Sequence, residues 1–234
     1  MAPWDDPRIA RGMQAQLALR RARIDAGEAP LGWKVGFAAP AALEKLNTTA
    51  PLVGFLMRSG LVAAGGTASL EGWVKPVAEP EIAIHVGRDV AGGGDRAAAA
   101  AAIAALAPAI ELADPDIPFE DPEAILARNI FQRHVILGAR DPSRAGGSTA
   151  GLAARIFRRG AETARTDDPE AATGKLPDIV RHVADLLAAF GEKLSAGDVI
   201  IAGSVVPPLL IEPDETELTY ALDPIGTVSV AFAR

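Results

Sequence analysis

The stretch Ala78-Glu79-Pro80-Glu81-Ile82-Ala83-Ile84-His85-Val86, answered later by Ala109-Ile110-Glu111-Leu112, decides how this chain is read. Both runs are strand-like, and residues two apart on a strand point to the same face, so Glu79 and Glu81 converge. Two adjacent carboxylates without compensation raise at least one pKa and cost several kcal/mol; a bound divalent ion or a basic partner is the expected remedy. Glu111 adds a third carboxylate, set among Ala109, Ile110, Leu112 and Ala113, which argues against plain solvent exposure. Ligation by oxygen alone favours a hard ion such as Mg²⁺ or Mn²⁺. The bland alternative is a set of strand carboxylates facing solvent or an arginine.

Outward from this pair, the pattern predicts an amphipathic helix opened by Asp5 or Asp6 with Pro7 and carrying Ile9, Met13, Leu17, Leu19 and Ile24 until Gly27. A strand over Leu31–Phe37 holds one lysine, Lys34, among apolar neighbours, and a short helix runs from Pro40 to about Leu46. Val53–Val86 breaks into short runs punctuated by Gly and Pro, as a β-rich region does. The alanine tract Arg96–Leu106 is a helix by propensity. Phe131–Leu137 reads as a strand, Gly151–Ala164 as a hairpin turning near Gly160, and Pro177–Phe190 as a helix. Four strands close the chain: Asp198–Ala202, Leu209–Ile211, Thr216–Leu222 and Thr227–Phe232. Strands dominate the second half and helices interrupt without regular alternation, so the fold class is α+β, a roll in preference to a doubly wound sheet.

Composition narrows the function. A net charge of −7 with no dense Lys/Arg run makes nucleic acid and anionic membrane poor partners. With no cysteine there is no disulfide, thiolate nucleophile or thiolate zinc site. The N-terminal residues lack the pattern of a secretory signal, and no apolar stretch approaches the roughly 20 residues of a membrane span, so a cytoplasmic location is expected. Gly92-Gly93-Gly94-Asp95 lacks the Lys-Ser/Thr of a phosphate loop, and no Gly-x-Ser-x-Gly elbow supports a serine hydrolase.

Several landmarks recur in order: Lys34-Val35-Gly36, Pro51 to Gly54, Glu79-Pro80-Glu81, Pro108 to Glu111, Asn129 before Val135-Ile136-Leu137-Gly138, Ala196 to Ser204, and Ile225 to Val230. As a set they resemble the fumarylacetoacetate hydrolase superfamily, most closely its 2-keto-4-pentenoate hydratase and 4-oxalocrotonate decarboxylase branch. The resemblance covers nearly the whole chain. It implies a mixed β-sandwich roll with a small N-terminal helical part, read either as residues 1–60 (helical segment and lysine strand) and 61–234 (catalytic roll) or as one continuous domain, since no linker demands two. It also implies Mg²⁺ or Mn²⁺ on Glu79, Glu81 and Glu111, a small 2-oxo acid chelating the metal, Lys34 beside the substrate, and Ser204 on its carboxylate.

The implied activity is hydration of a 2-hydroxydienoate in aromatic catabolism, with an acylpyruvate-type C–C hydrolase or a 2-oxo acid decarboxylase as the alternative within the family. Outside the enzyme class stands a metal-binding partner subunit without turnover of its own. A homo-oligomer, at least a dimer, is expected from the resemblance. Three segments depart from the branch. Pro51-Leu52-Val53-Gly54 replaces Pro-Asp-aromatic-Gly, Arg128-Asn129-Ile130-Phe131 replaces Asp-Asn-Ala-Ser, and Gly174-Lys175-Leu176-Pro177 replaces a Gly-His-Pro loop.

Other polar residues carry two readings each. Lone strand lysines usually snorkel, and Ser204 also reads as a turn hydroxyl. His85 shares the strand face of Glu81, where a metal-linked role and a core or interface position both stand; His182 and His134 read as bases or as packed rings. Asp114 reads as a turn residue in Ala113-Asp114-Pro115-Asp116, or as an acceptor behind the carboxylates. Arg128 and Arg133 read as solvated arginines or as contacts for a distal substrate carboxylate.

Overall fold

A computed structural model describes residues 2–234. The first third holds α1 (Pro7–Asp25), β1 (Pro30–Gly36), α2 (Pro40–Leu46), β2 (Leu52–Met57), β3 (Leu61–Val62) and β4 (Thr67–Ser69). Next come β5 (Val77–Val86), α3 (Arg96–Ala102), β6 (Ile103–Ala113), α4 (Pro122–Ala127) and β7 (Gln132–Leu137). The remainder is β8 (Ala153–Arg158), β9 (Ala161–Thr166), α5 (Leu176–Ala189), β10 (Val199–Ser204), β11 (Leu209–Leu210), β12 (Glu217–Asp223) and β13 (Gly226–Ala233). None of the described helices is long and apolar enough to cross a membrane.

Local chemistry sets the helix starts. Asp6 caps α1 by accepting the Arg8 amide at 2.9 Å, with Pro7 at the first position, where a missing N–H costs nothing. Ile9, Met13 and Leu17 are buried as expected, whereas Leu19 is exposed: two residues beyond Leu17 is the opposite side of a helix. Asp121 caps α4 through the Glu123 amide with Pro122 behind it, a start signal present in the sequence but not read there as a helix. In α5, Ile179, Val183, Leu186 and Leu187 form the buried stripe.

The larger sheet runs β2-β1-β10-β5-β6-β7-β3, with β11 beside β5; the smaller runs β4-β13-β12-β8-β9. The long pair β5–β6 is the spine of the first, in a register that places Glu79 opposite Glu111, Glu81 opposite Ala109 and Ala83 opposite Ala107. Strand β10 continues it with Ile201 beside Ala83, then β1 with Lys34 beside Ile201 and β2 with Gly54 beside Lys34. β2 and β7 come into contact although four strands separate them in the sheet order, so the sheet curls into a roll. Its inner face is filled by Leu56, Ala83, Ala107, Ala109, Val135 and Ile201. Its outer face, with Ile82, Ile84, Ile110 and Ile200, packs on the helices and on Leu218, Tyr220, Val228 and Val230 of the smaller sheet. Strands buried on both faces lose the alternation of a half-exposed sheet, which explains the near-continuous apolar runs.

The helix expected over Arg96–Leu106 ends at Ala102, and the chain continues as β6 from Ile103. Alanine's helix preference amounts to less than about 1 kcal/mol per residue, and pairing with β5 along nearly the whole strand overrides it. Ala105, Ala107 and Ala109 lie on the inner face, where small side chains let the sheet curl.

One close approach fixes β1 against β10. Gly32 has φ +153, and a Cβ built on it would lie 2.0 Å from the Val199 carbonyl oxygen. Gly32→Ala is therefore expected to destabilise the protein by about 3 kcal/mol or more, read as a lowered urea midpoint at unchanged slope.

Candidate metal centre

At one end of the roll the inner face turns from apolar to ionic. Glu81 and Glu111 are 1% and 0% exposed, and Glu79 is half-buried toward the opening. One carboxylate oxygen from each lies within 4.8 Å of the others. Lys34, 1% exposed, ion-pairs with Glu111 and donates a second hydrogen bond to the Ile130 carbonyl at 3.2 Å. Glu81 Oε2 accepts the Gly203 amide at 2.7 Å. Glu81 Oε1 and Glu111 Oε2 are buried without a hydrogen-bond partner among the described residues.

Three carboxylates around one ammonium leave this end of the roll short of positive charge. Burial pushes Glu79 up to about 7, with the Glu111 charge adding to it and Lys34 opposing it. Burial also raises Glu81, helped by Glu111 and Glu79, and it raises Glu111 against the pull of Lys34. For Lys34 burial acts downward, but Glu111, Glu79 and Glu81 together outweigh it, so the ammonium form is held. The donor set is oxygen only, anionic, and has two enclosed oxygens in want of a partner. It fits a hard divalent cation.

Backbone features far apart in sequence hold these side chains. Gly54 leaves room for the lysine stem: a Cβ there would lie 2.9 Å from Lys34 Cγ and 3.0 Å from Asn129 Oδ1. Asn129, 4% exposed, accepts the Phe55 amide at 2.8 Å and donates to the Phe55 carbonyl at 2.9 Å. This clamps a left-handed turn in which Asn129, Ile130 and Phe131 have φ of 52°, 50° and 60°. Such a conformation costs an L residue roughly 1–2 kcal/mol and is an outlier for β-branched isoleucine; here it presents the Ile130 carbonyl to Lys34. The ladder between β10 and β5 is irregular between Ile201 and Ser204, and Gly203 with φ +95 there aims its amide at Glu81.

The structure thus brings Lys34, Glu79, Glu81 and Glu111 together. Ser204 lies beside them in register with Glu81, its hydroxyl 3.4 Å from the Pro80 carbonyl. His85 is on the same face but at the far end of the roll, four residues along β5, or roughly 13 Å. His182 donates Nε2–H to the Pro51 carbonyl at 2.9 Å, which fixes the ring and leaves its lone pair on Nδ1. His134 stacks on Trp73 at 5.8 Å. Asp114, 2% exposed, accepts the Val74 and Lys75 amides and anchors the loop that feeds β5. Arg133 pairs with Asp114, and Arg128 with Asp116. Leu52, where the resemblance puts an aspartate, is buried core. The Ile130 carbonyl, the Asn129 clamp and the Gly203 amide have no sequence signature beyond an asparagine and a glycine.

Three outcomes are expected. A carboxylate whose folded pKa lies above its unfolded value of 4.5 stabilises below that value and loses the contribution as pH rises through about 7, so metal-free protein should melt at progressively lower temperature between about pH 5 and about pH 8. A divalent cation takes up the ionised carboxylates, so its stabilising increment should grow over the same range, checked by melts with chelator and with excess Mg²⁺. Asn129→Leu keeps the branching at Cγ but orphans both Phe55 backbone groups; a loss of about 3 kcal/mol is expected in urea unfolding.

The family model described as fumarylacetoacetate hydrolase C-terminal matches residues 34–231. A 4-oxalocrotonate decarboxylase of Pseudomonas sp is 28% identical over 208 residues, covering 88% of this chain and 80% of the relative. A 2-hydroxyhexa-2,4-dienoate hydratase of Comamonas testosteroni is 29% identical over 226 residues, covering 93% and 84%. Among solved structures, the fold is similar to that of 4-oxalocrotonate decarboxylase from Pseudomonas putida G7 complexed with magnesium and adipate: TM-score 0.88, 24% identity, 96% of this chain and 86% of that one. Fumarylpyruvate hydrolase from Pseudomonas aeruginosa, in complex with Mn²⁺ and pyruvate, is more distant at TM-score 0.67 and 15% identity, over 87% and 89%. With the family model matched from Lys34 of β1 to Ala231 of β13, this chain belongs to the fumarylacetoacetate hydrolase family.

Proposed function

We propose that this chain is a divalent-metal-dependent lyase acting on a small 2-oxo acid or its enol, with addition of water to a 2-hydroxydienoate as its leading reaction. The observation that carries the reading is the buried triad Glu79, Glu81 and Glu111, with two unpartnered oxygens, facing one buried ammonium. Relatives named as dienoate hydratases and as decarboxylases support the reaction class.

In this scheme Glu79, Glu81 and Glu111 hold Mg²⁺ or Mn²⁺. Bound there, the cation supplies Lewis-acid polarisation of the substrate's 2-oxo group. Lys34 acts as an acid: three neighbouring carboxylates keep Nζ protonated, so it places positive charge, or a proton, where enolate charge develops. The Ile130 carbonyl and Glu111 fix the position of Nζ, and the Gly203 amide fixes Glu81. Ser204, alongside Glu81 on β10, donates to the substrate carboxylate. The plug of Ala83, Ala107 and Ile201 keeps water from reaching the site through the roll.

One observation favours a second reading, decarboxylation of a 2-oxo acid. Leu52 removes the carboxylate the resemblance implies there, so that position supplies no base to activate water. Where the acid carries a second carboxylate beta, or vinylogously placed, to the 2-oxo carbon, the C–CO2 bond breaks, CO2 leaves and the electron pair passes into the enolate, which then needs only a proton; the triad and Lys34 serve both steps. We also infer a homo-oligomer in the cytoplasm; the exposed Leu61 on edge strand β3 and the exposed Val74 support association.

The test is turnover of a 2-hydroxydienoate, an acylpyruvate, oxaloacetate and a 2-oxo-enedioate, with and without Mg²⁺ or Mn²⁺, by wild type and Glu81→Ala. Metal-dependent consumption of the dienoate, lowered at least about a hundredfold in the variant, is expected. Metal-independent turnover, or turnover indifferent to Glu81→Ala, would refute the reading; metal binding without turnover of any member would point to a partner subunit.

A further inference from the structure

The end of the roll opposite the carboxylates holds a cavity of about 350 Å³, at the low end of the sizes that take small molecules. Small residues create it. Gly87, Ala104 and Ala105 border it, and even a methyl on Gly87 would come within 2.7 Å of Ala104 Cβ. His85, Arg140 and Asp198 are its titratable lining.

Its arginine and its histidine both lack a partner among the described residues. Arg140 is exposed and makes no ion pair and no side-chain hydrogen bond among the described residues, whereas Arg144, four residues on, pairs with Asp141. His85 Nε2 is enclosed and unpartnered. An enclosed N–H without an acceptor is costlier than an enclosed lone pair, so the neutral ring keeps its proton on Nδ1, the nitrogen left free for a ligand. Burial and the nearby Arg140 charge hold the His85 pKa below its usual value, which places the two side chains in one electrostatic neighbourhood. Asp198 is held to other groups and makes no ion pair with Arg140 among the described residues: its Oδ2 accepts Trp33 Nε1–H at 3.2 Å and the Ser195 amide at 2.9 Å.

We propose that this cavity is a second ligand site, separate from the metal centre, for a small oxyanion bound by Arg140 through its guanidinium fork and by the Nδ1–H of His85. The ligand class is a small organic acid or phosphate ester, since a planar guanidinium matches carboxylate and phosphate oxygens two at a time. The layer of Ala83, Ala107 and Ile201 lies between the two sites, so the anion occupies this one without touching the carboxylates. The assignment stands whatever reaction the other end performs.

His85, His134 and His182 are the chain's three histidines, so imidazole-nitrogen NMR resolves the site directly. Inorganic phosphate and, in parallel, succinate are titrated into the full Mg²⁺-loaded chain at constant ionic strength, using wild type, Arg140→Ala and Glu81→Gln. Expected is a saturable shift of the His85 signals with His134 and His182 unmoved, an affinity about tenfold weaker in Arg140→Ala, and no change in Glu81→Gln. Saturation by phosphate alone assigns a phosphate ester, and by succinate alone an organic acid. No saturable shift at His85, an equal shift in Arg140→Ala, or loss of the shift in Glu81→Gln would each overturn the proposal.

Discussion

The ion pair of Lys34 with Glu111, inside a cluster of three carboxylates, is the constraint from which the rest of this structure is best understood. Taking charges out of water costs several kcal/mol each, and a buried pair recovers that only when the remaining lone pairs and protons are satisfied. Here they are not. One ammonium faces three carboxylates, and two carboxylate oxygens have no donor within reach. A protein that retains such an arrangement spends stability on it, and the ionic end of the roll makes physical sense as a place prepared for further positive charge.

The architecture follows from having to hold these groups still. Each comes from a different part of the chain, yet Lys34, Glu81 and Glu111 stand on three strands of one sheet and Glu79 shares the strand of Glu81. A hydrogen-bonded ladder fixes their spacing far better than loops would. Where the ladder does not suffice, backbone irregularities finish the work: the absent Cβ of Gly54, the left-handed turn at Asn129–Phe131, and the bulge at Gly203. Strain in that turn is tolerated because Asn129 ties it to both polar groups of Phe55.

How much of this was legible in the sequence depends on the range of the physics involved. The convergence of Glu79 and Glu81 is a property of strand period and needs no tertiary information. Glu111 joins them only through the register of β5 with β6, which no local pattern encodes, and Lys34 was singled out by resemblance alone. His85 shows the limit of the same period rule: a shared face says nothing of distance along it, and four residues carry the ring to the other end of the roll. The alanine tract was misjudged past Ala102 because alanine suits both a helix and the crowded inner face of a curled sheet, and only the presence of β5 decides between them. Positive φ at Ile130 and Phe131 had no signal at all, since neither residue favours it.

Leu52 shows how a scaffold of this kind separates two chemical tasks. In the proposed scheme the groups that stabilise an enolate sit on the strands, where any change would disturb the charge balance of the whole cluster. The aspartate that the resemblance implies on β2 would have no such bond to the cluster, and in this chain a leucine that joins the apolar core stands in its place. Enolate chemistry is thereby held constant by electrostatics while the fate of the enolate is left to the surrounding residues. On that reading, the reaction this chain performs is decided at positions such as Leu52 rather than among the carboxylates.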